Sequence, residues 1–241
     1  MKERKGREPW PPELTEQLRK VDRLRKSGRY EEALSRMRQL AEVHPRQVRV
    51  LLELGLTLGI WGQAPAEALP WYERVLERAP GHPSARLHRA LALAKLGRHE
   101  EAVADLDALE AAEYRKALVL HMKRAESLEV LGRHDAAERD WTLALAEDPG
   151  NPWLLQQRAA ARARLGRLAE AVEDLTAALA HQEGEEMDAE LLRDRGVLRA
   201  RLEDMAGARA DFEAGLSALR EGDPPELAED LRRRLKQLLM Q

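Results

Sequence analysis

Residue types able to do covalent or metal chemistry are few and scattered in this chain. Cysteine is absent, which removes disulfides, thiolate metal sites and thiol nucleophiles. The seven histidines, His44, His82, His88, His99, His121, His134 and His181, never stand four residues apart, the interval that places two imidazoles on one helix face for a metal. No glycine-rich phosphate loop, H-E-x-x-H or nucleophile elbow occurs. The acidic run Glu183, Glu185, Glu186, Asp188 and Glu190 lacks the glycine and ligand spacing of a calcium loop and reads as a solvated connector. These residues predict a protein that is not an enzyme, takes no cofactor and no metal, and works through its surfaces. The most concentrated charge is basic: Arg19, Lys20, Arg23, Arg25, Lys26 and Arg29 crowd a few helical turns, and residues 1–50 hold 14 Lys+Arg against 8 Asp+Glu. Such a run is most often a solvated face, and otherwise a site for an acidic partner.

The elements that carry these residues are helices. With 241 residues, the chain has room for one or two domains or an array of small units. Aromatic residues make up only 4%, while Leu, Ala, Arg and Glu dominate, which favours helix and starves a β-sandwich or barrel. Charged residues are 34% of the chain yet leave a net charge of only −3, so nucleic-acid binding through a general basic surface is not expected. Met1 to Pro12 is charged and proline-rich with no apolar run, predicting a disordered arm at residues 1–12 and a cytoplasmic protein. Val50 to Gly62, the most apolar stretch, is interrupted by Glu53 and falls short of the roughly 20 residues a membrane span needs. Membrane insertion is therefore not expected. Arginine far outnumbers lysine, the compositional habit of a GC-rich bacterial genome.

A short phrase recurs. Gly28-Arg29-Tyr30-Glu31-Glu32-Ala33 returns as Gly97 to Ala102, Gly132 to Ala137 and Gly166 to Ala171, with looser copies at Gly62 to Ala68 (one residue longer) and Glu203 to Ala208 (no turn glycine). The terminal alanines, Ala33, Ala68, Ala102, Ala137, Ala171 and Ala208, are 35, 34, 35, 34 and 37 residues apart, so six units tile the chain. Each reads as two helices. In the third, Leu87, Leu91, Leu93 and Leu96 follow helical spacing up to Gly97, a helix stop, and a second helix restarts with Glu100-Glu101 at its positive end. Pro45, Pro80 and Pro149 mark unit boundaries. Twelve residues before the landmark alanine the first helix carries a small residue, Ala90, Ala125, Ala159 or Gly196, with Gly55 its counterpart in the longer unit. Four after it comes a large one, Met37, Tyr72, Leu106, Trp141, Leu175 or Phe212. Small against small with a bulky plug beside it is a packing rule.

This pattern over residues 14–220 resembles the tetratricopeptide repeat family. The resemblance implies an all-α fold, a right-handed α-solenoid of about six helix-turn-helix repeats at 14–47, 48–82, 83–117, 118–151, 152–188 and 189–222. Pro225 to Gln241 then forms a capping helix (223–241 with its lead-in Asp223-Pro224, an N-cap pair), with Leu227, Leu231, Leu235, Leu238 and Leu239 on one face. The alternative for its tail is that Leu238 to Met240 meets a partner. The family's opening Trp is missing from its usual place, and the connector before the sixth unit is long.

The resemblance further implies that first helices line an inner surface where partner segments lie. By helical phase the inward residues begin with Leu18 and Asp22, pass through an apolar middle of Leu52, Leu56, Ile60, Leu87, Leu91 and Met122, and are flanked by Lys95, Lys123, Arg164, Arg193 and Arg201. An apolar patch rimmed by cations predicts a partner protein whose segment, plausibly an amphipathic helix, brings apolar anchors and acidic residues. The Lys-Asn-Arg clamp by which one subgroup of the family holds a C-terminal carboxylate is absent, since the matching places hold Leu18, Asp22, Leu52, Leu56, Leu87 and Leu91. Two rival readings are a helical-repeat RNA binder, disfavoured by the apolar groove, and a structural subunit of a larger assembly. A monomer or hetero-complex is the expected state.

Overall fold

The computed structural model describes residues 12–181 and 188–240, and among these there is helix and no strand. Thirteen helices follow in order: α1 Pro12–Lys26, α2 Tyr30–Val43, α3 Val48–Leu56, extended by a π-helical turn Thr57–Trp61, α4 Pro65–Arg78, α5 Pro83–Lys95, α6 His99–Glu110, α7 Ala117–Val130, α8 His134–Glu147, α9 Pro152–Arg164, α10 Leu168–Ala180, α11 Ala189–Arg201, α12 Met205–Ala218 and α13 Pro225–Leu239. They pair as six hairpins plus a last single helix, an α-solenoid architecture, and fall into two compact units, one up to Ala112 and one from Glu113. The first unit holds hairpins α1/α2, α3/α4 and α5/α6. The second holds α7/α8, α9/α10, α11/α12 and α13. Of the arm expected at residues 1–12, Pro12 opens α1 and the remainder lies outside the described residues.

Local chemistry explains where the helices begin. Pro65, Pro83 and Pro152 stand in the first turn of α4, α5 and α9, where a missing N–H costs nothing. His82 and Asn151 cap α5 and α9 by accepting from the N–H groups of Ala85 and Leu154. Asp188, the described end of the acidic connector, caps α11 through Glu190 and Leu191. Asp223 does not cap α13 as its sequence suggests. Its carboxylate accepts from the Arg220 N–H at 2.8 Å and closes the preceding loop, and Pro224 takes the cap position.

Within the hairpins, the turns reverse through a left-handed residue. Gly28, Gly97, Gly132 and Gly166 have φ between 70° and 78°, where only glycine escapes a Cβ clash. In the second hairpin this residue is Gln63 (φ 48°), not Gly62, and in the sixth it is Glu203 (φ 63°). Gln63 lies eight positions after the small Gly55, against seven from Ala90 to Gly97. The extra residue is taken up inside the helix by the π-helical turn, whose hydrogen bond runs from Gly62 N–H to Thr57 C=O at 3.0 Å. Glu203→Gly is expected to stabilise the second unit by about 1 kcal/mol, since a left-handed non-glycine residue costs roughly 1–2 kcal/mol. Chemical denaturation of the two proteins, with unchanged helical content, measures it.

The expected alanine and plug are buried in all six copies, while the first has Val21, not a small residue, twelve positions before its alanine. The six landmark alanines are fully buried, and Met37, Tyr72, Leu106, Trp141, Leu175 and Phe212 are each at most 1% exposed. The small residue must be glycine where the plug is Tyr72 or Phe212: a Cβ on Gly55 would stand 2.7 Å from the Tyr72 ring, and one on Gly196 2.6 Å from Phe212. Burial keeps the Tyr72 phenol protonated far above the usual tyrosine range, and its hydroxyl donates to the Gly55 carbonyl at 2.9 Å.

Four hairpins share a further fastening. An arginine of the first helix grips an aspartate sixteen residues on, in the second helix, through two parallel hydrogen bonds: Arg89 with Asp105, Arg124 with Asp140, Arg158 with Asp174 and Arg195 with Asp211, all at 2.6–3.0 Å. The four aspartates are buried. At the end of the second unit, Leu227 and Leu231 of α13 are buried against Phe212 and Ala208 of α12, with Leu235 and Leu238 packed beside them. Leu239, expected on the same face, is 63% exposed.

Candidate functional site

In the first unit, α1, α3 and α5 are the first helices. A cavity of about 480 Å³ opens along α1 and α3, lined on α1 by Thr15, Leu18, Arg19, Asp22 and Arg25 and on α3 by Arg49 and Glu53. Leu18 and Asp22, two of the positions expected to face inward, are among these. The residues that organise the cavity are ones the sequence reading passed over. Arg25 is buried, and both its terminal nitrogens lie 3.1 Å from one Glu53 oxygen. Its guanidinium is stacked under the Trp61 ring, 4.4 Å from the centroid, and reaches the Thr57 hydroxyl at 3.4 Å. The second Glu53 oxygen takes Arg49 at 2.7 Å, and Asp22 approaches Arg25 at 3.6 Å. A hydrogen bond from Lys26 holds the Asp22 carboxyl below the usual carboxylate range. The cavity therefore offers closely set groups of both signs, with Arg49 and Arg19 exposed at its edge. The signal in the sequence was Glu53 itself, a lone charge in the chain's most apolar stretch.

Beside this cavity the first helices leave apolar surface uncovered. Ile60 is 45% and Trp61 41% exposed, both in the π-helical turn, while Leu56 and Leu91 are half-buried. Leu52 and Leu87, expected to face inward, are instead packed away at 6% and 5% exposure, so they serve the core of the unit. Lys95 ends α5 and is exposed.

In the second unit, Met122 of α7 is half-buried, and the cations expected to await a ligand are mostly engaged. Lys123 donates to both Glu126 oxygens at 2.8 and 2.9 Å. Arg164 of α9 reaches Glu129 of α7 at 2.6 Å, on the oxygen that also meets His134 Nδ1 at 2.9 Å. Arg193 is paired with Asp194 at 2.8 Å. Burial works against the Arg193 charge, but Asp194 outweighs it and raises the guanidinium further. Asp194 also accepts from Gln156 at 3.0 Å, tying α11 to α9. Arg201 is exposed at the end of α11. Near it in sequence, α11 and α13 enclose a cavity of about 640 Å³ in which Arg193 and Arg233 face Glu190, Glu226, Glu229 and Asp230. Burial opposes the Asp230 charge, yet hydrogen bonds from Arg234 and Arg233 hold its carboxyl below the usual range.

Among the described residues no set of three His, Asp or Glu side chains is placed to hold a metal ion, and no helix is long and apolar enough to cross a membrane. What the arrangement offers is a mixed apolar and charged contact surface on prefolded helices.

The profile of the tetratricopeptide repeat family matches residues 18–58, 62–117 and 157–226. No curated protein sequence matches the chain. Among solved structures, the chain is similar to PilW, a type IV pilus biogenesis factor, with a TM-score of 0.71 at 16% identity over 93% of this chain and 99% of that one. It is similar to YrrB, described as a repeat protein of this kind with an unusual peptide-binding site, with a TM-score of 0.68 at 16% identity, covering 82% and 97%. A repeat protein from Parabacteroides merdae gives a TM-score of 0.56 at 23% identity, covering 91% and 81%. At these identities the likeness is one of fold.

Proposed function

Because this chain belongs to the tetratricopeptide repeat family, whose members serve as scaffolds for protein–protein interaction, we propose that it is a non-enzymatic adaptor that holds a segment of a partner protein on the first helices of its N-terminal unit. The observation that carries this reading is the exposure of Ile60 and Trp61 in the π-helical turn that follows the half-buried Leu56, with Trp61 stacked on Arg25 of a cavity lined by both signs of charge; the next first helix adds the half-buried Leu91. Covering large apolar side chains that stand in water gains roughly 1.5–3 kcal/mol for each one fully buried. The surrounding Arg49, Arg19 and Lys95 suit acidic residues of the same segment. The helices are already folded, so little conformational entropy is lost on binding. In the C-terminal unit, taken by itself, Met122 is half-buried and Arg201 exposed, while Lys123, Arg164 and Arg193 already hold carboxylates.

The test is comparative affinity purification, with mass spectrometry, of the intact chain and of Leu56→Glu combined with Leu91→Glu. Two half-buried leucines made anionic are expected to lower capture of the partner at least a hundredfold while circular dichroism stays helical. An unchanged set of captured proteins sinks the assignment to this face.

A further inference from the structure

A second cavity, of about 740 Å³, opens between α1 and α2, and Lys20, Arg23, Leu24, Ser27, Arg29 and Arg36 are among the residues around it. Its meaning comes from the repeat register. Aligned on Ala33 and Ala171, residues Lys20, Leu24 and Arg29 of the first hairpin correspond to Arg158, Arg162 and Arg167 of the fifth. In the fifth hairpin those three arginines receive the second helix of the hairpin before. Arg158 reaches the Thr142 hydroxyl at 3.5 Å, Arg162 reaches Glu138 at 3.2 Å, and Arg167 meets Asp135 and Glu138, each at 3.5 Å, all on α8. The sixth hairpin repeats the arrangement with Arg195 and Thr176 of α10. The cavity on α1 and α2 thus matches, in register, the receiving half of a hairpin junction.

Its charge differs from that of its counterparts. Where hairpins three to six hold Asp105, Asp140, Asp174 and Asp211, the first holds Arg36, bonded to Gln17. Among the lining residues Lys20, Arg23, Arg29 and Arg36 outnumber the one carboxylate, Glu32; Arg29 is held by Glu32 at 2.6 Å and Arg23 by Glu16 at 2.8 Å, so Lys20 and Arg36 carry most of the unmatched charge. We propose that this face of α1 and α2 docks an acidic amphipathic helix of a partner protein, which presents carboxylates three residues apart, as Asp135 and Glu138 do on α8, and an apolar side chain against Leu24.

The probe is a synthetic peptide with the sequence of residues 134–147, cross-linked to hold its helix, titrated against the full chain by fluorescence anisotropy. A second peptide carries Asp135→Lys and Glu138→Lys. The acidic peptide is expected to bind at least tenfold more tightly than the reversed one, and a chain with Lys20→Glu and Arg29→Glu is expected to invert that order. Should that chain lose helical content, Lys20→Ala alone, at an exposed position, is expected to weaken the acidic peptide severalfold. Absence of binding, or equal affinity for the two peptides, overturns the proposal. So does a dimer in sedimentation velocity that the same substitutions disperse, because that outcome gives the face to a second copy of the chain.

Discussion

Glu53→Ala is expected to be among the most damaging single substitutions in the N-terminal unit, at about 3–5 kcal/mol. Arg25 is 6% exposed at its side chain and Glu53 9%, so neither charge can turn to bulk water once the other is gone, and an unpaired buried charge costs far more than the pair contributes when intact. Asp22 at 3.6 Å, Thr57 and the Trp61 ring would hold Arg25 only in part, which places the expectation near the lower end of that range. The check is a double-mutant cycle by urea denaturation: Glu53→Leu combined with Arg25→Met should recover most of the loss, because two apolar groups of similar size leave no orphaned charge. A loss under 1 kcal/mol for Glu53→Ala would show that water reaches Arg25 after all.

The second large effect is expected at Asp140. Its carboxylate accepts two hydrogen bonds from Arg124, at 2.7 and 2.6 Å, and lies 3.3 Å from His121 Nδ1, with all three side chains at 10% exposure or less. Asp140→Ala removes the carboxylate that two buried polar side chains share, and about 3 kcal/mol is the expected loss from the C-terminal unit. Asp105 occupies the same register, but its arginines, Arg89 and Arg86, are 28% and 24% exposed and can be rehydrated. Asp105→Ala should therefore cost only about 1–2 kcal/mol. The ranking is the discriminating measurement: equal losses at the two sites would mean that burial of the arginine is not what sets the penalty.

How much of this was legible follows from the range of each signal. Helices, turns and the plug-and-alanine core repeat at short, fixed intervals, so Ala33, Met37 and their later copies announced themselves. The Arg–Asp fastening also repeats, at an interval of sixteen, but that interval joins two helices across a turn, and charged residues at 34% of the chain make any one pair look like solvated surface. Its recurrence at Arg89, Arg124, Arg158 and Arg195 was the available clue. The inner face was harder. Arg164 finds Glu129 thirty-five residues away, which no local pattern encodes, and Leu52 and Leu87 sit at the border between inward and core-facing positions, where a small rotation of the helix decides burial. Glu203 stands in the repeat where the turn glycine is missing and was legible as the turn, whereas Gln63 was not, because the longer second hairpin offers Gly62 while the added residue lies upstream in a π-helical turn.

The shared fastening of hairpins three to six also separates them from the first two. The first has Arg36 bonded to Gln17 and the second has Tyr72 bonded to the Gly55 backbone, so neither carries the arginine–aspartate grip. A hairpin whose internal clasp is complete brings its own cohesion wherever it is placed, and arrays of this kind gain stability from each unit and its nearest neighbours. Duplication or loss of a gene segment encoding any of the last four hairpins would thus leave every clasp whole. The N-terminal pair is tied across its own junction, by Arg25 of the first hairpin and Glu53 of the second, so such shuffling could not move either of the two without parting a buried ion pair.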